Sequence, residues 1–230
     1  MTAVRRKSFD GGDVLTYHFT HGDAAGANGT LAYQHCTCTA LLDAAAVFGP
    51  RQSDCVHEMC VATFEPYIFR ARGHESNFYD TTKDIAWTTE QAGVLDSLFS
   101  LDVVSKNKKV NVSKIGIMGW SYGGTVAIEA QNNFNIDLIK PKNKFALHLA
   151  LYPYCFSYEN SKTTNAPLFI LMGDKDYLPH TLCEEYIKKA QDDLGSKNKK
   201  IIIFPGATHS YDKTGSGYVD GSIVSPECRI

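Results

Sequence analysis

Apolar positions along the chain recur in two alternating rhythms, short β-rich runs and longer stretches with helical spacing. The short runs fall at residues 14–20, 64–70, 114–118, 145–151, 167–172 and 200–204, and are rich in the branched and aromatic residues that suit strands. The longer stretches fall at residues 29–48, 83–101, 125–133 and 180–194. Within the second of these, Val94, Leu95, Leu98 and Leu101 recur at helical spacing, so that helix can lay one apolar face on a sheet. Strands alternating with helices predict an α/β protein, a mostly parallel sheet covered by helices. Residues 53–62 show neither rhythm, and the chain after Ser210 turns Gly-, Ser- and Asp-rich, fitting a short helix and an irregular tail equally well. No internal repeat is visible.

Composition changes this picture little. The chain has 230 residues, 43% of them hydrophobic and 21% charged, enough to bury a core within one domain spanning 1–230. A formal net charge of −2 leaves no electrostatic footprint for nucleic acid or an anionic membrane surface, so the expected partner is a small molecule. No stretch has the apolar length of a membrane span, and residues 1–10 lack the apolar core of a secretory signal, which makes the cytoplasm the expected location. Monomer and homodimer both remain open. The seven cysteines are expected to be reduced, since a chain of this size needs no staples. Cys36, Cys38, Cys55 and Cys60 cluster around His57, but without the paired Cys-x2-Cys spacing of zinc sites; buried thiols are expected, and no metal or cofactor.

The chemistry begins at residues 114–124, KIGIMGWSYGG. A strand runs into Gly119-Trp120-Ser121-Tyr122-Gly123 and then into helix formers, the setting of a nucleophile elbow, where glycines let strand and helix approach and Ser121 stands at a strained turn. The bland alternative is a glycine-rich turn whose serine caps the helix. An elbow also aims the backbone N–H of Tyr122, at the positive end of a helix, towards a developing oxyanion.

Serine needs an imidazole to take its proton and a carboxylate to orient that imidazole, in the chain order Ser, acid, His. The strand at 167–172 ends in Gly173-Asp174-Lys175-Asp176, at the carboxyl edge where open α/β sheets place their sites. Asp176 is the preferred acid, Asp174 its competitor, and either would also serve as a helix cap. The last strand leads into Pro205-Gly206-Ala207-Thr208-His209, so His209 is the expected base, while His148, inside an apolar strand, reads as a core histidine. A second oxyanion donor is expected from Asp23 or Ala24, in the turn after the first predicted strand. Trp120, Arg72, Tyr152 and Tyr177, near strand ends, are candidate substrate contacts.

Together, the His21-Gly22 turn, Arg70-Ala71-Arg72-Gly73, IGIMGWSYGG, GDKD followed by Tyr177, and FPGATHSY resemble the dienelactone hydrolase family of the α/β-hydrolase superfamily. The resemblance runs from about Val14 to Tyr211, sharp after Lys114 and thin at residues 31–62. It implies a three-layer α/β-hydrolase fold with helices on both faces of the sheet, no lid domain, and hydrolysis of esters or lactones. The family proper carries cysteine as nucleophile, whereas Ser121 stands here, which implies a broader carboxylesterase. GWSYGG is also similar to prolyl-oligopeptidase-type peptidases, so a peptidase or acyl-peptide hydrolase is the alternative, and a hydrolase-fold binding protein a third.

Overall fold

The computed structural model describes residues 2–7, 13–18, 39–43, 61–67, 90–108, 110–155, 162–194 and 198–212. Eight strands form one sheet: β1 (Thr2–Lys7), β2 (Asp13–His18), β3 (Thr39–Asp43), β4 (Val61–Tyr67), β5 (Ile115–Trp120), β6 (Leu147–Leu151), β7 (Leu168–Gly173) and β8 (Lys199–Phe204). Their order is β1-β2-β4-β3-β5-β6-β7-β8. β1 and β2 pair antiparallel, β2 meets β4 antiparallel, and all later neighbours are parallel. The helices among the described residues are α1 (Glu90–Val104), α2 (Tyr122–Glu129), α3 (Asn133–Ile139) and α4 (His180–Leu194).

The core follows from the two periods. Ile115 and Ile117 of β5 face one side of the sheet and pack with Val94, Leu98 and Leu101 of α1 and Val126 and Ala127 of α2. Leu168, Ile170 and Met172 of β7 meet Cys183, Tyr186 and Ile187 of α4. On the opposite face Met118, Leu149, Leu171 and Phe204 pack with Trp120, Tyr152, Ala207 and Tyr211. The helical layer expected on that second face lies outside the described residues, as do residues 83–89 and the tail after Asp212. Among the described residues there is no lid, and no helix is long and apolar enough to cross a membrane.

Two strands correct the sequence reading. Residues 39–43 lie inside the stretch expected to be helical from 29 to 48, yet form β3, hydrogen-bonded between β4 and β5. A central parallel strand has no polar face to alternate, so Ala40-Leu41-Leu42 resembles a helix segment. The basic stretch Thr2–Lys7 is β1, at the edge of the sheet, a position where charged residues in the sequence discourage edge pairing. The helix expected at 125–133 starts earlier, at Tyr122, and stops at Glu129; Asn132 then caps α3 by accepting from the Phe134 N–H at 3.0 Å.

The cysteine expectation also fails in part. Cys155, after β6, and Cys183, on α4, form a disulfide 28 residues apart in sequence. Only the packing of α4 beside the end of β6 brings them together, so no spacing rule reveals the pair. The other five cysteines, including the Cys36 to Cys60 cluster, lie outside the described residues.

His148 is the core histidine expected. It is 1% exposed, its Nδ1–H donates to the Ala127 carbonyl at 2.8 Å, and Phe145 meets its ring edge-on. Burial, helped by the Lys199 ammonium, pushes its pKa down to about 4. The unfolded chain therefore binds a proton between about pH 6.5 and pH 4 that the folded chain refuses, so stability is full above that window and falls as pH drops through it. We expect His148 to account for about 2 kcal/mol of the stability lost between pH 7 and pH 4.5. Urea unfolding at the two pH values should show the His148→Asn variant losing that much less than the parent; equal losses would refute the assignment.

Candidate active site

The carboxyl ends of β5, β6, β7 and β8 meet at one edge of the sheet, where α/β folds place their ligands. At the end of β5 the chain turns abruptly. Ser121 has φ 51° and ψ −116°, a conformation sparsely populated for any residue but glycine and costing about 1–3 kcal/mol. Gly119 makes the turn feasible, because a Cβ there would lie 2.0 Å from the Gly123 carbonyl oxygen. A cradle of backbone bonds holds the turn: the Ser121 N–H donates to the Leu151 carbonyl at 2.9 Å, and the Thr125 N–H to the Ser121 carbonyl at 3.1 Å.

Ser121 does not cap α2 with its side chain, which removes the bland reading of the motif. Its hydroxyl instead donates to His209 Nε2 at 2.9 Å. The other ring nitrogen, Nδ1–H, donates to both oxygens of Asp176, at 3.0 and 2.9 Å. With Nδ1 carrying the proton, Nε2 is left as the acceptor that the serine hydroxyl needs. The Asp176 side chain is fully buried and that of His209 is 11% exposed. Asp176 Oδ1 also accepts from the Leu178 N–H at 2.9 Å, which fixes the carboxylate in the turn ahead of α4.

Asp174, the competing acid, is turned elsewhere. It is exposed, and its Oδ1 accepts from the Gly206 N–H at 2.6 Å. That bond, with Asp174 N–H to Phe204 carbonyl at 3.2 Å and Lys175 N–H to Ala207 carbonyl at 3.0 Å, sews the loop after β7 to the loop after β8. The approach is so close that a Cβ on Gly173 would fall 2.0 Å from the Ala207 oxygen. Asp174 thus aligns the two loops on which Asp176 and His209 stand.

His209 lies between two tyrosine rings. Tyr152, itself at φ 38°, meets it edge-on at 4.7 Å between centroids, and Tyr177 tilts over it at 4.6 Å. Of the four candidate substrate contacts, Tyr177 is 71% exposed, whereas Trp120 and Tyr152 are 5% and 1% exposed. Trp120 and Tyr152 pack with Ala207 and Tyr211 over the ends of β5 and β6. Arg72 lies outside the described residues, as do Asp23 and Ala24.

Tyr122 opens α2, so its N–H belongs to the first turn, ahead of any intrahelical carbonyl. Its ring leans the other way, towards α1, where only a glycine at position 93 leaves room for the hydroxyl. Its usefulness to a reacting group is therefore through the backbone.

Sequence reasoning missed Asp212. Its Oδ2 accepts from Trp120 Nε1–H and its Oδ1 from the Tyr152 hydroxyl, each at 2.7 Å. No motif marks it, since an aspartate three residues past a histidine in a polar turn reads as an ordinary loop residue.

The comparisons agree with this geometry at the level of fold and family. The dienelactone hydrolase family matches residues 62–223. A Klebsiella pneumoniae protein assigned as a dienelactone hydrolase is 15% identical, with 96% of this chain and 93% of that one covered at a TM-score of 0.57. Native Thermogutta terrifontis esterase 2 is also 15% identical, with 94% and 85% covered at a TM-score of 0.59. The same esterase phosphorylated by paraoxon is 14% identical, with 93% and 86% covered at 0.59. No curated protein matches the chain in sequence. With the match spanning more than half of its length, the chain belongs to the dienelactone hydrolase family and is a carboxylic ester hydrolase of the α/β-hydrolase fold.

Proposed function

We propose that the protein hydrolyses small carboxylic esters or lactones through an acyl-enzyme on Ser121, with His209 as general base and acid and Asp176 as the group that orients it. The observation that carries this reading is the unbroken row of hydrogen bonds from the Ser121 hydroxyl through His209 to Asp176, anchored at a strained turn. The Ser121 oxygen attacks the carbonyl carbon as its proton passes to His209 Nε2. Asp176 steadies the imidazolium, which then returns that proton to the leaving alkoxide. A water molecule repeats the cycle on the acyl-enzyme, giving the free acid and regenerating the serine. The Tyr122 N–H, reinforced by the α2 dipole, is the first donor to the oxyanion, and Asp23 or Ala24 is proposed for the second.

Tyr177, open to solvent above the imidazole, is the proposed substrate contact, and Arg72 a second. The chain is read as one domain, acting on small molecules rather than on nucleic acid, as a monomer or a homodimer. Its compartment follows better from the cysteines than from residues 1–10. A bonded Cys155–Cys183 pair belongs in an oxidising setting, which counts against the cytoplasmic expectation.

Short-chain p-nitrophenyl esters and simple lactones, run beside a panel of blocked peptides, test the substrate class. Ester turnover exceeding peptide turnover by more than about a hundredfold in kcat/KM, near 3 kcal/mol of transition-state discrimination, is the expected result. The reverse preference would move the protein to the peptidases, and turnover of neither would leave a binding protein on a hydrolase fold.

A further inference from the structure

Asp212 has no place in the row formed by Ser121, His209 and Asp176. Both of its oxygens are engaged, and both oxygens of Asp176 already bond His209 Nδ1. It is therefore not an alternative acid. What it touches is informative. Trp120 immediately precedes Ser121 on β5. Tyr152 lies against His209 and follows Leu151, whose carbonyl accepts the Ser121 N–H. Asp212 itself follows His209 by three residues. One carboxylate thus closes a ring of contacts over the ends of β5 and β6 and the segment after β8, the three places that fix the serine and the imidazole.

We propose that Asp212 is a positioning residue, which sets the alignment of His209 with Ser121 through its two bonds to Trp120 and Tyr152. The proposal rests on the Ser121-His209-Asp176 reading. Both donors are buried, so each bond to the carboxylate is charge-assisted and little weakened by solvent. The Tyr152 hydroxyl also accepts a hydrogen bond from the Ser210 side chain, which leaves its own proton committed to Asp212. Burial and the neighbouring Asp212 charge raise the Tyr152 pKa well above the usual tyrosine range, so it remains a donor wherever an esterase is assayed. Tyr211 packs edge-on against Tyr152 and tilts over Phe204. With the carboxylate in place, the Tyr152 ring is held at 4.7 Å from the imidazole centroid; with an amide in its place, one of the two buried donors faces an NH2 group instead of an acceptor and the pair of bonds that holds the ring is broken.

The test compares the full chain with Asp212→Asn, Tyr152→Phe and the double variant. The readouts are kcat and KM for p-nitrophenyl acetate and the rate of labelling by a fluorophosphonate. Asp212→Asn should lower kcat about 10- to 100-fold, as misplacement of a reacting group does, with KM within about twofold and labelling slowed in parallel. Tyr152→Phe should lower kcat by at least about threefold, and the double variant should be no worse than Asp212→Asn within about twofold, because both act along one path. An unchanged kcat in Asp212→Asn, a rise in KM alone, or losses that multiply in the double variant would overturn the proposal. If Asp212→Asn fails to fold by circular dichroism, Tyr152→Phe decides it, since it removes one hydroxyl only: parental kcat there overturns the proposal, and the expected fall upholds it. Ser121→Ala, assayed alongside, separates the two levels. Its retained activity would sink the triad reading itself, whereas an inactive Ser121→Ala beside an Asp212→Asn of parental kcat sinks this proposal alone.

Discussion

Replacing Ser121 with alanine should abolish ester turnover and leave the fold intact. The side chain contributes no cap to α2, so its hydroxyl is not needed to start the helix. Alanine carries the same Cβ at φ 51° as serine does, and the backbone bonds to Leu151 and Thr125 remain. What disappears is the oxygen 2.9 Å from His209 Nε2. The kcat for p-nitrophenyl acetate should fall by on the order of 10⁴ to 10⁶, the range seen when a serine nucleophile is removed from a complete triad. Circular dichroism and the urea midpoint should match the parent. Turnover within about tenfold of the parent would remove Ser121 from the chemistry, since no side effect of the substitution restores a lost nucleophile.

The second large effect separates two aspartates that lie two residues apart. Asp176→Asn should lower kcat by on the order of 10⁴, because an amide facing Nδ1 favours the tautomer with the proton on Nε2, where the serine proton must go. Asp174→Asn keeps a carbonyl oxygen for the Gly206 N–H and leaves the His209 bonds untouched, so its kcat should stay within about threefold of the parent. Kinetics of the two variants under one buffer decide the matter, and the opposite ranking would transfer the orienting role to Asp174.

The contrast between these residues marks how far the sequence could be read. Ser121 stands in a motif whose glycine is forced by close approach, and the loop that carries His209 is admitted by another such glycine at the end of β7. Gly119 meets the Gly123 carbonyl, and Gly173 admits the loop after β8. A constraint that admits only glycine leaves a mark in the sequence. The preference for Asp176 over Asp174 had only position behind it, and the difference lies in which loop each one bonds, a fact of three-dimensional placement. Strands with branched residues and clear flanks, β5 to β8, fall within a few residues of their expected bounds. β3 reads as helix in the sequence because its pairing on both sides takes away the alternation that would betray a strand, and β1 leaves no strand signal because its residues are those of a charged edge. Asp212 and the Cys155–Cys183 pair share one cause. Each joins segments at least 28 residues apart that carry no local pattern, so only the folded chain brings the partners together.

The resemblance to a family whose own nucleophile is cysteine makes the identity of the reacting atom the centre of the account. Labelling of the intact protein with a fluorophosphonate, followed by proteolysis and mass mapping of the adduct, tests it most directly. Paraoxon phosphorylates the similar Thermogutta terrifontis esterase 2, and phosphorus electrophiles capture an activated serine while sparing an ordinary hydroxyl. The account predicts one adduct per chain, on Ser121, formed at a rate that collapses in His209→Ala. An adduct on another residue, or a fully folded protein that takes no label, would contradict it.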